Sequence, residues 1–203
     1  FKPILYYSAL ENGMTPISTF VSEKTNFYLG NGESYSPSNF ADKYANKPLT
    51  MADALVLSDN IFAVKTHLFL GADNLKKTAK KMGISTSLPS NASLALGTTE
   101  INMIDFSNAF NTLANYGVKN KPSFIRKVTD LNDNVIYEEK YEEENVLDKR
   151  YTFILNEMLS NTYNYDYIDY ASPTLLSVKG LINHKYAAKS GTTDSDYWVV
   201  GYN

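Results

Sequence analysis

Cysteine is absent from all 203 residues. Its absence excludes disulfides, thiolate nucleophiles and cysteine metal sites together, and it suits an exported bacterial chain as well as an internal one. Histidine is nearly as scarce, with only His67 and His184. Two isolated histidines with no carboxylate pattern around them do not form a metal centre. No apolar run approaches the roughly 20 residues needed to cross a bilayer, and no signal peptide is visible. Nor is there a surplus of positive charge. The net charge of −3 excludes a strongly basic nucleic-acid surface. Internal repeats and low-complexity linkers are missing as well. The first residue is Phe1 rather than methionine, so the chain reads as a fragment whose targeting segment would lie upstream.

What is present suits one folded domain. Hydrophobic residues make up 43% and charged residues 20%, enough apolar material for a sizeable core. "PILYYSALE" (3–11) has helical apolar spacing and stops at Asn12-Gly13, a C-cap pattern. Residues 14–49, rich in Ser, Asn, Gly, Pro and Tyr, show little periodicity and read as an irregular surface segment. Thr50 caps a helix, "MADALVLS", interrupted at Ser58-Asp59-Asn60, after which Ile61–Leu70 forms another. Residues 72–82 read as an amphipathic helix closed by Gly83, and 101–117 as a helix ending at glycine.

The second half changes character. "SFIRKVTD" and "NVIYEEK" flank Leu131–Asn134 as a hairpin, and residues 150–162 read as helical. The acidic "EEKYEEEN" (138–145) reads as a solvated edge or loop. "YNYDYIDYA" (163–171) reads as a surface loop with half-buried tyrosines rather than a ligand-facing patch. "KYAAKSG" and "YWVVGYN" read as two neighbouring strands, with Trp198 packing within the sheet or core in preference to lining a cleft. Helices first and strands last predict a mixed α/β (α+β) domain with an antiparallel sheet.

Two short stretches carry chemistry. "AAKSGTT" (187–193) sets a lysine beside hydroxyls and a flexible backbone, which makes a carboxylate receptor. The ammonium of Lys189 supplies charge, and Gly191 lets a ligand backbone come close. "LSDN" (57–60) offers the hydroxyl of Ser58 and the carboxamide of Asn60, and equally reads as an ordinary helix cap. Each signal is weak alone.

A third piece stands at the start, Phe1-Lys2-Pro3. Together the three resemble the penicillin-binding transpeptidase family, whose motifs are S-x-x-K, S-x-N and K-[ST]-G. "FKP" resembles the tail of S-T-F-K-P. "YSPSNFADKYANKPLTMADALVLSDNIFAVK" resembles the run through the second motif, "LALGTTEINMIDFSNAFNTLANYG" the long helix beyond it, and "AAKSGTTDSDYWVVGYN" the third motif with its next strand. The likeness covers nearly the whole chain and is nearest to the bifunctional, class A members.

The resemblance implies a single partial transpeptidase domain over 1–203, helical to about 122 and then hairpin, helix and sheet strands over 123–203. It implies catalytic roles for Lys2, Ser58, Asn60 and Lys189, and substrate or beta-lactam binding by Ser190, Gly191, Thr192 and Thr193. In that reading Lys2 is the base, Ser58 bridges Lys2 and Lys189, Asn60 holds the substrate amide, and the Thr192 N–H helps form an oxyanion hole. Metals and cofactors are not part of it. The implied partners are D-alanyl-D-alanine stem peptides, acceptor strands and beta-lactam antibiotics. The parent protein is expected at the extracytoplasmic face of a bacterial membrane, anchored upstream and fused to a glycosyltransferase domain.

One departure stands out. The S-x-x-K serine belongs three residues before Lys2, upstream of Phe1, so the expectation is an active parent and a fragment inactive by itself. The family also continues past Gly201-Tyr202-Asn203 with a further strand and helix. Three activities remain open: D,D-transpeptidation, beta-lactam hydrolysis or sensing, and a non-catalytic scaffold. Class A beta-lactamases carry an E-x-x-L-N segment between the second and third motifs, and residues 61–188 contain none. Glu100, followed by "INM", reads as structural in a helix-entry loop.

Overall fold

The computed structural model of the chain describes residues 1–30 and 32–203. Helix α1 (Lys2–Glu11) has Pro3 in its first turn, where the missing N–H costs no hydrogen bond. It ends at Asn12, and Gly13 follows with φ +91°. Every residue from Lys2 to Leu10 is buried. A helix apolar on all sides belongs inside a core, and four others, α2 (Met51–Val56), α3 (Asn60–Leu70), α4 (Ala72–Lys81) and α6 (Lys149–Leu159), pack around it. Phe62 of α3 meets Tyr6 and Phe20 edge-on, with ring centroids 6.0 and 5.2 Å apart. Fully burying side chains of this size stabilises by roughly 1.5–3 kcal/mol each.

Residues 14–49 are less irregular than their composition predicts. They hold β1 (Thr19–Val21), β2 (Phe27–Gly30) and β3 (Glu33–Tyr35), and they lead into β4 (Pro48–Thr50). β1 pairs antiparallel with β4, and β2 with β3. Strands of three or four residues are too short for alternation to register in a sequence. The expected helical portion, up to about residue 122, therefore also carries strands.

Caps set the helix starts. Thr50 Oγ1 accepts from the Asp53 N–H at 3.1 Å while Asp53 Oδ2 accepts from the Thr50 N–H at 3.2 Å, a reciprocal box that opens α2. Asn102 caps α5 (Met103–Ala114), which is shorter at both ends than its apolar spacing predicts. Its exit is fixed by Gly117, with φ +98°. There β5 (Val118–Asn120) pairs with β8 (Glu143–Asn145), so part of the acidic stretch is an exposed edge strand, the first of the two forms expected of it.

A Cβ at Gly117 would lie 2.5 Å from the Leu147 carbonyl oxygen. Gly117→Ala combines that clash with a left-handed backbone, and we expect a loss of roughly 2 kcal/mol or more. Urea unfolding checks this, and an unchanged midpoint would contradict it.

The predicted hairpin is β6 (Lys127–Thr129) with β7 (Val135–Glu138). At the C-terminal end β9 (Ala187–Thr192) pairs antiparallel with β10 (Tyr197–Tyr202). The class is the mixed α/β arrangement expected, but among the described residues the strands form five antiparallel pairs rather than one wide sheet. β9 packs on α6, and β10 on α5, which brings the third motif back to the helical core. No helix among the described residues is long and apolar enough to cross a membrane.

Candidate active site

The first turn of α1 and the α2–α3 junction meet at one buried ammonium. Lys2 Nζ donates to the Ser58 carbonyl at 2.6 Å, to Ser58 Oγ at 3.0 Å and to Asn60 Oδ1 at 2.6 Å. Those are the three donors of an ammonium, all used. Lys2 is 8% exposed. Burial first, and the nearby charge of Lys189 second, hold its pKa well below the ordinary lysine value, with the Asp59 carboxylate opposing them.

Ser58 is placed by an unusual helix ending. Its N–H donates to the Leu55 carbonyl at 3.2 Å, and the Asp59 N–H to the Ala54 carbonyl at 2.9 Å. That bond pair closes a helix with a left-handed residue, a place ordinarily given to glycine. Ser58 stands there with φ +58°, at a cost on the order of 1 kcal/mol. The benefit is geometric, since carbonyl and hydroxyl of one residue both face Lys2. One residue on, Asp59 Oδ1 accepts from the Phe62 N–H at 2.7 Å and caps α3. Both readings of "LSDN" therefore hold at once, on adjacent residues.

On the other side, Lys189 on β9 is 7% exposed, and burial lowers its pKa to about 8. Its ammonium donates to the Ser190 carbonyl at 2.9 Å. The Thr162 hydroxyl donates to the Ala188 carbonyl at 3.1 Å, holding this strand to the end of α6. Beyond Lys189 the strand emerges: Ser190 is half-buried, while Gly191, Thr192 and Thr193 are exposed. A Cβ at Gly191 would meet nothing within 4 Å, and its backbone lies outside the left-handed region. The fold itself does not require glycine there, and the space in front of it is open.

The family description "Penicillin binding protein transpeptidase domain" matches residues 1–203. The chain belongs to that family. Penicillin-binding protein 2D of Bacillus subtilis is 46% identical over 203 residues, covering all of this chain and 29% of that protein. Penicillin-binding protein 1A of Aquifex aeolicus is 35% identical over 206 residues, again covering the whole chain and 27% of that protein. The chain thus spans less than a third of the length of these relatives. Among solved structures, penicillin-binding protein 1A of Haemophilus influenzae superposes with a TM-score of 0.90 at 20% identity, covering 99% of this chain and 35% of that one. An imipenem acyl-enzyme of penicillin-binding protein A from M. tuberculosis gives 0.81 at 17% identity, covering 99% and 50%. The penicillin-binding transpeptidase fold is therefore that of this chain, with its helices and antiparallel pairs.

Against the motif expectations for a penicillin-binding transpeptidase, the structure brings Lys2, Ser58 and Asn60 into direct contact and sets Lys189 beside them. Two expected arrangements differ. The Ser58 hydroxyl bonds Lys2 and not Lys189, and Lys189 turns to the Ser190 carbonyl, so the bridge between the lysines is made at one end. Asn60 has its carboxamide engaged at both ends within the chain, since its Nδ2 donates to the Ser38 carbonyl at 2.7 Å. The Thr193 hydroxyl accepts from the Ser195 and Asp196 N–H groups at 3.3 and 3.0 Å, forming the turn into β10. Its own O–H stays available to a ligand.

Trp198 takes the less favoured of its two expected places, and Asn39 was not singled out by the sequence at all. Trp198 is 56% exposed rather than packed in the core, and lies opposite Gly191 across the β9–β10 ladder. Paired residues point to one face of a sheet, so its indole flanks the open space at Gly191. Asn39, in the stretch read as irregular, accepts the Asn60 N–H on Oδ1 at 2.7 Å and so holds the second motif from outside. No periodicity marks such a residue; the only cue is S-P-S-N itself. Glu100 is exposed in the loop before α5, as read. His67 is buried with Nε2 3.2 Å from the Asn91 carbonyl, and His184 lies in an exposed loop against Tyr186.

Proposed function

We propose that this domain is the acyl-transfer unit of a D,D-transpeptidase that cross-links peptidoglycan stem peptides and is acylated by beta-lactams. The observation that carries the reading is the buried Lys2–Ser58–Asn60 cluster with Lys189 beside it. A serine hydroxyl needs a base to become a nucleophile, and the S-x-x-K serine, three residues before Lys2 on the same helical face, would lie next to Nζ. A neutral amine accepts a proton and an ammonium does not. Burial and the facing charge of Lys189 both favour the neutral form.

In the first step the serine oxygen bonds to the carbonyl carbon of the penultimate D-alanine, and its proton passes to Lys2. Negative charge gathers on the carbonyl oxygen, where the Thr192 N–H and that of the serine would donate. The C–N bond then breaks, and the proton moves through Ser58 to the departing D-alanine amine. An amine of a second strand attacks the ester, gives up its proton by the same route, and releases the serine. The half-buried Ser190 hydroxyl and the exposed Thr192 and Thr193 hydroxyls, with the Lys189 ammonium, suit the terminal carboxylate of the donor peptide. Gly191 leaves room for the peptide backbone.

The partners on this reading are stem peptides, acceptor strands and beta-lactams. The relatives' greater length fits a parent protein with an upstream glycosyltransferase domain and an anchor at the outer face of the membrane. The protein carrying the residues upstream of Phe1 is expected to be labelled covalently by a fluorescent penicillin. The adduct should persist for many minutes, because no E-x-x-L-N carboxylate stands between the motifs to activate water. A folded protein with no adduct by intact mass would overturn an acyl-enzyme mechanism. Steady turnover of a chromogenic cephalosporin would point to hydrolysis instead.

A further inference from the structure

Asp59 lies between the two residues that touch Lys2 and is itself 1% exposed. Capping α3 occupies only its Oδ1. Its Oδ2 accepts from three more side chains: the Ser22 hydroxyl, the Asn39 amide at 2.8 Å and the Tyr170 hydroxyl at 2.6 Å. These donors come from the end of β1, the stretch before β4, and the 163–171 segment more than a hundred residues away. A helix cap needs one hydrogen bond. Four on one buried carboxylate make a clamp.

What the clamp holds is the strained residue next door. Ser58 keeps its positive φ only while its surroundings over-determine it. Tyr170 belongs to a segment secured twice more to the same region. The Thr174 N–H donates to the Val56 carbonyl at 3.3 Å, at the end of α2, and Asp169 pairs with Lys47 at 2.8 Å, beside β4. The segment read as a surface loop thus reaches the catalytic junction through one hydroxyl.

We propose that Asp59 and Tyr170 are positioning residues of the acylation step, their contact letting the 163–175 segment fix the Ser58–Asn60 pair against Lys2. The inference rests on the acyl-transfer reading above. Without the Tyr170 hydroxyl the junction gains freedom about Ser58, and the Nζ–Oγ approach on which proton transfer depends is no longer held. Asp59 also has an electrostatic effect. Its carboxylate favours the Lys2 ammonium, while Lys189 on β9 disfavours it. Tyr6 on α1, Tyr44 and Tyr170 are the titratable hydroxyls that feel the Asp59 charge.

The test measures acylation by benzylpenicillin in the protein that includes the upstream serine. Tyr170→Phe should lower the acylation rate constant about tenfold, leaving the non-covalent affinity for the drug within about twofold. Tyr167→Phe is the control, a half-buried tyrosine of the same segment that makes no contact with Asp59, and it should acylate at the wild-type rate. Asp59→Asn should be slower still, and the acid limb of its rate profile should move to lower pH, since Lys2 loses the charge that favours protonation. A purely structural role leaves that limb in place.

Tyr170→Phe acylating as fast as wild type overturns the inference. So does a Tyr167→Phe loss as large as that of Tyr170→Phe, or an unmoved acid limb in folded Asp59→Asn. Should Asp59→Asn fail to fold, the two tyrosine variants decide alone. A wild-type protein that is never acylated overturns the acyl-transfer reading and this inference with it; acylated wild type beside an equally fast Tyr170→Phe overturns the inference only.

Discussion

Lys2→Ala, in the protein carrying the upstream serine, is expected to lower penicillin acylation at least about a hundredfold, the scale of losing a general base. The substitution removes the side chain that contacts Ser58 Oγ, Ser58 carbonyl and Asn60 Oδ1 together. Circular dichroism should remain native, because alanine suits a helix and the vacated volume can admit water to those acceptors. The pH dependence follows from the same residue. On the proposed mechanism acylation needs Lys2 neutral, so the rate is expected to fall on the acid side as Lys2 takes a proton, at a pH well below the ordinary lysine range. The same mechanism needs Lys189 charged, so the rate is also expected to fall on the alkaline side as pH passes about 8. Lys2→Ala should flatten the acid limb and leave the alkaline one. Wild-type-like acylation by Lys2→Ala would remove the lysine from the mechanism.

Lys189→Met is expected to do two opposite things: to abolish useful acylation and to make the fold more stable at pH 7. Burial takes the Lys189 pKa from 10.5 in the unfolded chain to about 8. A group whose ammonium is disfavoured by folding weakens the fold wherever it is charged. That penalty is complete below about pH 8, shrinks as pH rises towards 10.5, and is gone above it. Two to three pH units correspond to about 3 kcal/mol. Methionine fills a similar volume without a charge. The variant should therefore melt several degrees higher at pH 7, and its advantage over wild type should close between pH 8 and 10.5. A variant that melts lower at pH 7 would show that the ammonium is a net stabiliser of the strand.

Much of this site was legible in the sequence because its chemistry uses fixed short spacings. Lys2, Ser58, Asn60 and Lys189 are the residues the motifs single out, and three of them touch in the structure. Helix starts at Thr50 and stops at Gly13 and Gly117 were readable because caps have their own residue types. Three kinds of feature were not readable. Strands of three or four residues leave no periodic trace, so β1 to β4 vanished into a polar segment. Long-range polar contacts carry no spacing at all, which hid Asn39, Ser22 and Tyr170 from the second motif they hold. The positive φ of Ser58 was hidden by its residue type, since serine does not announce a left-handed turn as glycine does. Trp198 misled for a different reason, because aromatic bulk in a strand usually means burial.

Burial of α1 on every side has a consequence for motion. Loops and edge strands of a protein open locally at little cost, while elements enclosed by others open only when the whole fold does. Lys2 rides on the enclosed kind, and Ser58 and Asn60 approach it from the junction of two helices packed around that helix, while Lys189 comes from β9, which packs on α6. Breathing of the β6–β7 hairpin or of the β2–β3 pair never carries the lysine with it. The contacts of Lys2 with Ser58 and Asn60 therefore persist for as long as the molecule stays folded, and the acyl adduct proposed above would sit beside a base that does not wander.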